Sequence, residues 1–293
     1  MRALQWAFIA AVLGYSAVIV PFSTYLHNRP VQIKLGYTPD ARAIRYATAD
    51  QRYLVADWAV LKVIFYFGEL IEKAEGKELF QSSPDYLGMF KTLQTALRVE
   101  PYNKDAYYFA QAAFTWELGR FKEVNNMLEY GMRYRTWDSQ LPFFAGFNCA
   151  YFMKDYKKAA EYMEKAAVIS HNSLYTTLAA RFFYEAGTTD LGIVFIESMI
   201  KNAKDDNERK LYQTRRDALL AIQRLTSAVE RYKQRFGVMP GSLVELVTRG
   251  ILRRLPADPY GGTFYLDEKG IVRSTSKLAF IKGNDVKKQD EKP

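Results

Sequence analysis

The sequence predicts a mainly α-helical protein in which pairs of helices stack into a solenoid, with an apolar helix before them and a small α+β segment after them. Three observations predict this architecture. An apolar run opens the chain, three central segments repeat a helix-turn-helix pattern at nearly constant spacing, and short strand-like runs with proline and glycine follow. Of the 293 residues, 49% are hydrophobic and 25% are charged, so the chain can bury a sizeable core.

The chain begins with a candidate membrane span. No residue between positions 3 and 26 carries a charge, and at about 1.5 Å per residue this run is long enough to cross a hydrocarbon core of about 30 Å. Trp6 and Tyr25 lie near its two ends, where aromatic rings are expected at the membrane interfaces. We therefore predict a transmembrane anchor over residues 1–26.

A cleaved signal peptide and a buried core helix are the alternatives for this run. Arg2 followed by an apolar stretch also begins a signal peptide, and Gly14-Tyr15-Ser16 is the best small-x-small cleavage site. Cleavage there would leave "AVIVPF" as an apolar new terminus, so an uncleaved anchor is favoured. Counting basic residues on each side places the body in the cytoplasm, because Arg2 and the terminal amine face four cations on the other side. These are Arg29, Lys34, Arg42 and Arg45.

Residues 27–46 contain two prolines and two turn signals and predict an extended linker. A helical repeat domain is predicted from residue 47 to residue 206. Its first helix, in "DQRYLVADWAVLKVIFYFGELIEKA", is apolar over more than one face, and we expect it to be buried on several sides.

Three segments align without gaps and carry the repeat prediction. They cover residues 108–132, 143–167 and 176–200, at offsets of 35 and 33 residues. Each predicts a helix, a tight turn and a second helix, with the turns near Gly119, Lys154 and Gly187.

The second helices carry small residues at inward positions that ordinarily hold leucine. Val124, Ala159 and Gly192 form one column, and Gly131 and Ala166 form the next. Helices that cross about 8 to 10 Å apart leave no room for leucine at the contact. We therefore predict that each helix pair rests on a neighbouring copy of the same unit.

A mean period of 34 residues with small residues at these contacts resembles the tetratricopeptide repeat, over about residues 87–201. Ala112 and Ala180 match the small position of the first helix, whereas Phe147 departs from it, with Gly146 beside it. In that family the first helices line a concave groove that holds a peptide. The resemblance implies seven groove residues here: Phe109, Trp116, Phe144, Asn148, Tyr151, Arg181 and Tyr184.

Within this set, Trp116, Tyr151 and Tyr184 are expected to form one column, and Asn148 is expected to hold a peptide backbone. Aromatic and arginine side chains are those that protein interfaces favour. The alternative for each aromatic residue is that it fills the core of its own helix pair.

Beyond the repeats, residues 207–236 predict a long helix that caps the solenoid and ends at Gly237. Residues 237–281 then predict a short helix from about 242 to 249 and a hairpin with strands at 263–266 and 271–274. Residues 282–293 are predicted to be a polar tail, and they lie outside the residues described below.

The 237–281 segment resembles the helix-to-hairpin region of type II secretion pseudopilins. The residues that carry this resemblance are Pro240, Leu243, Leu246, Leu255, Pro256, Asp258, Pro259 and Gly261. The acidic, glycine-rich calcium loop of the major pseudopilin is not visible after Ser274, so no calcium site is expected. Because pseudopilin-like modules work outside the cytoplasmic membrane, the resemblance reverses the orientation given by charge counting and implies a periplasmic body on the bacterial inner membrane.

Charge and cysteine content narrow the function classes. The net charge is +9, yet basic residues are spread along the chain and mixed with acidic ones, so we expect no nucleic-acid partner. The single cysteine, Cys149, lies in an apolar run and is expected to be a buried thiol. Neither His27 nor His171 belongs to a metal or catalytic motif, and no phosphate-binding glycine loop is present.

The sequence therefore predicts a membrane-anchored protein-protein interaction scaffold of a bacterial envelope assembly or secretion system. We expect no enzymatic activity, cofactor or small-molecule substrate. The alternative is a glycan- or lipid-binding envelope factor that uses the same aromatic groove.

Overall fold

The computed structural model describes residues 2–28, 35–74 and 85–279, and these are mainly helical. The chain divides into two compact units between Ala106 and Tyr107. This boundary lies inside the region 47–206 that the sequence predicts as one repeat domain.

The first unit contains four helices within its described residues. They are α1 (Arg2–Asn28), α2 (Ala41–Thr48), α3 (Arg52–Ala74) and α4 (Tyr86–Val99), with a 3-10 turn at Ala49–Gln51. Within α1, the stretch Gln5–Tyr25 is long and apolar enough to cross a membrane, as the sequence predicts. Asp40 caps α2 by accepting a hydrogen bond from the Arg42 N–H, so the predicted extended linker 27–46 is wrong from Ala41 onward.

Helix α3 corrects a second prediction, because it is buried on one side only. Ala56, Val60 and Val63 are buried. Trp58 and Phe65, on the other side, are about two-thirds exposed. The apolar character of both faces therefore does not mean that both are covered by this chain.

The second unit contains the repeats. Its helices are α5 (Lys104–Phe109, which crosses the boundary), α6 (Phe121–Met132), α7 (Gln140–Asn148), α8 (Tyr156–Ser170), α9 (Ser173–Glu185), α10 (Thr189–Lys201) and α11 (Asp206–Phe236). Helices α5 and α7 continue into wider π-helical segments at Ala110–Glu117 and Cys149–Met153. The turns between the paired helices are confirmed at Gly119, Lys154 and Gly187, which all have positive φ.

The small residues lie at close helix contacts, as predicted. Gly131 and Ala166 are both buried. A Cβ added at Gly131 would lie 2.7 Å from the Tyr107 ring and 3.0 Å from Leu141, and one added at Gly192 would lie 2.9 Å from the Phe183 Cβ. These distances are too short for a side chain, so the packing itself requires glycine.

The first helices of successive pairs lie side by side. The Tyr108 ring packs edge-on against Phe144, and the Phe143 ring stacks on Tyr175. The hydroxyl of Tyr212, on α11, lies 3.5 Å from that of Thr176, 36 residues earlier on α9. Helix α11 therefore takes the place of the first helix of a fourth pair, and Gly237 ends it with φ of 75°.

The C-terminal segment forms a small α+β module against α11. It consists of α12 (Val244–Thr248) and the antiparallel strands β1 (Phe264–Leu266) and β2 (Val272–Ser274), which confirms the predicted helix and hairpin. Leu243, Leu246 and Val272 are buried and join the core formed by α9, α10 and α11. The hydrophobic core thus runs continuously from the repeats into the module.

Candidate binding groove

An open groove of about 510 Å³ lies along the first helices of the first two repeats. We call it the aromatic groove. Its lining residues are Tyr108, Gln111, Ala112, Trp116, Glu117, Phe143, Phe144 and Phe147. Trp116 and Phe144 belong to the set that the sequence predicts for the groove.

The π-helical segments position the two most exposed rings. In both repeats a backbone N–H reaches back six residues, from Arg120 to the Phe114 carbonyl and from Asp155 to the Cys149 carbonyl. These bonds lie 35 residues apart, so the helix widens at the same position in the first and in the second repeat. This widening ends the first helix just after Trp116 and Tyr151, which are 54% and 55% exposed.

Tyr151 is not itself a lining residue, but it contacts two of them, Trp116 and Phe147, and so extends the aromatic groove as one continuous aromatic cluster. The ring centroids of Trp116 and Tyr151 are 6.0 Å apart, and Phe147 lies 5.9 Å from Trp116 and stacks on Tyr151 at 5.5 Å. Phe152 packs edge-on against both exposed rings from the side of Phe121, on which it stacks. Rings held on several sides lose little freedom when a ligand binds, which favours their use as a recognition surface.

Asn148 lies beneath the groove and not in it, which corrects its predicted role. Its side chain is fully buried. Its amide donates to the Gln111 Oε1 at 2.8 Å and to the Asn125 Oδ1 at 2.9 Å, and its Oδ1 accepts from the Gln111 Nε2 at 3.1 Å. Asn125 in turn donates to the Ala145 carbonyl. The amide network therefore ties α5, α6 and α7 together and leaves no Asn148 donor for a peptide.

Tyr184 does not continue the column of Trp116 and Tyr151, because the C-terminal module covers it. It is buried, and its hydroxyl accepts a hydrogen bond from the Ser274 N–H at 3.0 Å. The Arg273 guanidinium lies 5.4 Å from its ring and pairs with Glu185 at 3.1 Å. The predicted groove is thus closed by β2 at the level of the third repeat.

The two remaining predicted residues, Phe109 and Arg181, neither line the aromatic groove nor belong to the cluster of Trp116 and Tyr151. Phe109 is half-buried and packs edge-on against Phe114 at 6.4 Å, which is the core alternative. Arg181 is partly exposed on α9, one turn before Tyr184.

The sequence prediction missed six of the lining residues: Tyr108, Gln111, Ala112, Glu117, Phe143 and Phe147. Helical spacing could have found two of them, because Phe143, Phe147 and Tyr151 follow one another at intervals of four on one face.

Tyr108 is fixed by the hydrogen bonds of its hydroxyl to Asp138, which also pairs with Arg135 at 2.9 Å. Lys154 lies 5.4 Å from the Tyr151 ring and brings a cation to the end of the groove.

The buried thiol below the groove is confirmed and gives a test of the packing. Cys149 is 1% exposed, and burial raises the pKa of its thiol from 9.0 to about 11. Because the folded state favours the protonated thiol, its stabilising contribution is complete below pH 9 and is lost as the pH rises to about 11. A pKa that differs by two between the folded and unfolded states corresponds to about 3 kcal/mol in the free energy of unfolding.

We therefore expect the free energy of unfolding of the native chain to fall more steeply between pH 9 and 11 than that of Cys149→Ala. Urea unfolding at a series of pH values measures both slopes. Parallel curves for the two proteins would show that the thiol is not shielded from water.

Among the residues that the structure describes, no group of three or more His, Cys, Asp or Glu side chains is arranged to hold a metal ion. The aromatic groove instead offers apolar rings, an exposed carboxylate at Glu117 and, beside Tyr151, the cation of Lys154. Comparison of the chain with protein-family models and with curated proteins finds no match.

Proposed function

We propose that this protein is a membrane-tethered interaction scaffold whose aromatic groove holds an apolar segment of a protein partner. The observation that carries the proposal is the exposed Trp116–Tyr151 pair, fixed by equivalent π-helical segments above a buried amide network. Interfaces concentrate their binding energy in aromatic side chains that are already held in place, and this pair fits that description.

The chemistry of the lining supports a protein segment over a glycan. A sugar presents many hydroxyl groups and needs polar side chains around the ring on which it stacks. The nearest amide, that of Gln111, is buried and already bonded to Asn148 in both directions. A glycan or lipid ligand is nevertheless the second candidate, because the exposed faces of Trp116 and Tyr151 can also stack on a sugar ring or an acyl chain.

The wider setting of the proposal is the envelope of a bacterium. The period of 34 residues, the glycine contacts at Gly131 and Gly192 and the adjacent first helices support a tetratricopeptide-like solenoid. Membrane attachment through α1 is supported by the length and composition of Gln5–Tyr25. A periplasmic body with a role in assembly or secretion is inferred from the resemblance of residues 237–281 to pseudopilins.

Crosslinking from the groove tests the class of ligand. A photo-reactive phenylalanine analogue placed at Tyr151 in the full chain is activated in living cells, and the same analogue at Trp137 serves as the control. Trp137 is 62% exposed in the same unit and does not line the groove. We expect a discrete protein adduct from position 151 and none from position 137.

Substitution of Trp116 by alanine should then reduce recovery of that adduct at least about tenfold, since a central aromatic anchor contributes about 2 kcal/mol or more. Trp137→Ala should leave it unchanged. Recovery of saccharide or lipid at position 151 would contradict the protein-partner proposal and support the second candidate. Equal loss of the adduct with Trp116→Ala and Trp137→Ala would contradict the assignment of the groove.

A further inference from the structure

A row of large apolar side chains lies exposed along α3. Leu54, Trp58, Leu61 and Phe65 follow one another at intervals of four, three and four residues and therefore share one face of the helix. They are 53%, 66%, 42% and 67% exposed. We call these four residues the α3 stripe. It runs over 12 residues, and its first and last members lie about 17 Å apart along the helix axis.

The α3 stripe is apolar without a charged centre. None of its four members is charged. Asp57 and Lys62 lie on opposite flanks of the stripe, and Glu69 and Glu72 follow beyond its C-terminal end. The adjacent Gly68 adds no side chain, and a Cβ there would meet nothing within 4 Å. An exposed apolar face of this kind marks a surface that something else covers.

The distance to the candidate membrane span is limited by the chain. Helix α1 ends at Asn28, and six residues separate it from Leu35. The seven steps from Asn28 to Leu35 span at most about 25 Å. Leu35 is 3% exposed, and its N–H donates to the Asp85 Oδ2 at the start of α4. The folded part of this unit therefore begins close to the end of α1.

Other aromatic residues of this unit are exposed in the same way. Tyr37 is 85% exposed and Tyr46, on α2, is 94% exposed. Tyrosine and tryptophan are enriched where a protein meets the headgroup layer of a membrane, because their rings are apolar and their polar atoms remain hydrated. Arg42 and Arg45 are exposed on α2 beside Tyr46, and arginine can lay its apolar stem on an apolar surface while its charged end stays hydrated.

We propose that the α3 stripe lies on the bilayer surface, with its apolar side chains inserted at the boundary between headgroups and acyl chains. The proposal rests on membrane attachment through α1. A tether of six residues keeps the stripe at a high effective concentration next to the bilayer, whereas a second copy or another protein has to be recruited. Interfacial helices bind through apolar area on one face in the same manner.

Depth-dependent fluorescence quenching tests this placement in the full chain. The protein has four tryptophans, so variants that keep Trp58 alone or Trp6 alone can be made by replacing the others with phenylalanine. Each is reconstituted in zwitterionic lipid nanodiscs that carry bromine on the acyl chains near the headgroups. We expect Trp58 to lose about half of its emission or more on bromination, as for a helix inserted into the interface.

The control variant is Leu61→Asp in the Trp58-only chain. Leu61 is exposed, so the substitution leaves the fold intact, which circular dichroism checks, but it places a charge in the proposed contact. In this variant the emission of Trp58 should be the same in brominated nanodiscs as in nanodiscs without bromine. Because the contact is apolar, raising the salt concentration should not change the quenching in the parent variant.

The outcomes separate the stripe from the anchor. Quenching of Trp6 without quenching of Trp58 overturns the proposal and leaves the anchor intact. Quenching of neither contradicts both this proposal and membrane attachment through α1. Disulfide-linked dimers of Leu61→Cys, formed in high yield while Trp58 is not quenched, would show that a second copy covers the stripe, since the native Cys149 is buried.

Discussion

Gly131→Val is expected to lower the free energy of unfolding of the second unit, which contains the repeats, by about 3 kcal/mol or more. Any Cβ at this position lies 2.7 Å from the Tyr107 ring and 3.0 Å from Leu141, and both side chains are fully buried. Because neither side chain can move into solvent, the helices must separate or the two side chains must leave their preferred rotamers. Overpacking of a core costs about 1 to 3 kcal/mol for a few extra methyl groups, and here the obstacle is a rigid ring.

The measurement is urea unfolding of the full chain in detergent micelles. Replacing Trp6 and Trp58 with phenylalanine leaves Trp116 and Trp137, which both belong to the second unit, as the sources of tryptophan fluorescence. Asn126→Val is the matched control, because Asn126 is exposed on the same helix α6.

The control measures the effect of a β-branched residue in helix α6 at a position that makes no close contact with a neighbouring helix. Glycine is itself a poor helix former, so propensity alone would make Gly131→Val slightly more stable than the native chain. A stability equal to that of the native chain would show that α6 and its neighbours do not pack as closely as described.

Asn148→Leu is expected to destabilise the same unit by about 3 kcal/mol. The substitution keeps a similar volume but removes both hydrogen bonds between Asn148 and the Gln111 amide and one partner of Asn125. The Gln111 Nε2 then loses its Asn148 acceptor, and the Gln111 Oε1 keeps the bond from the Thr115 hydroxyl at 3.3 Å. Each buried polar group left without a partner costs about 1 to 3 kcal/mol. The penalty arises in the neighbours, which remain polar and buried.

The same fluorescence assay compares Asn148→Leu with Asn126→Leu, which makes the identical change at an exposed position of α6. We expect the control to lie within about 0.5 kcal/mol of the native chain. A second readout separates structure from binding: a variant that folds at low temperature should still give the adduct from position 151. Loss of the adduct in a fully folded Asn148→Leu chain would restore Asn148 to the groove.

Local pattern determined the helical architecture of this protein. The sequence was enough to predict the repeat offsets of 35 and 33 residues, the turns at Gly119, Lys154 and Gly187, and the small residues where helices cross. Helix period and turn conformation depend on residues that are neighbours in the chain. The long helix that ends at Gly237 and the C-terminal hairpin could be predicted for the same reason. An apolar helix of membrane-spanning length at the N-terminus needs only a count of residues.

Which side chains reach the surface was decided by the tertiary structure. Asn148 and Tyr151 lie three residues apart on one predicted face, yet one is buried in an amide network and the other is exposed, since a π-helical segment begins between them. Tyr184 is covered by β2, some 90 residues later in the chain. Helix α3 shows the converse, because its apolar stripe predicts burial and the chain leaves it open. Burial depends on contacts between distant segments, and a periodic pattern identifies a face without identifying what packs against it.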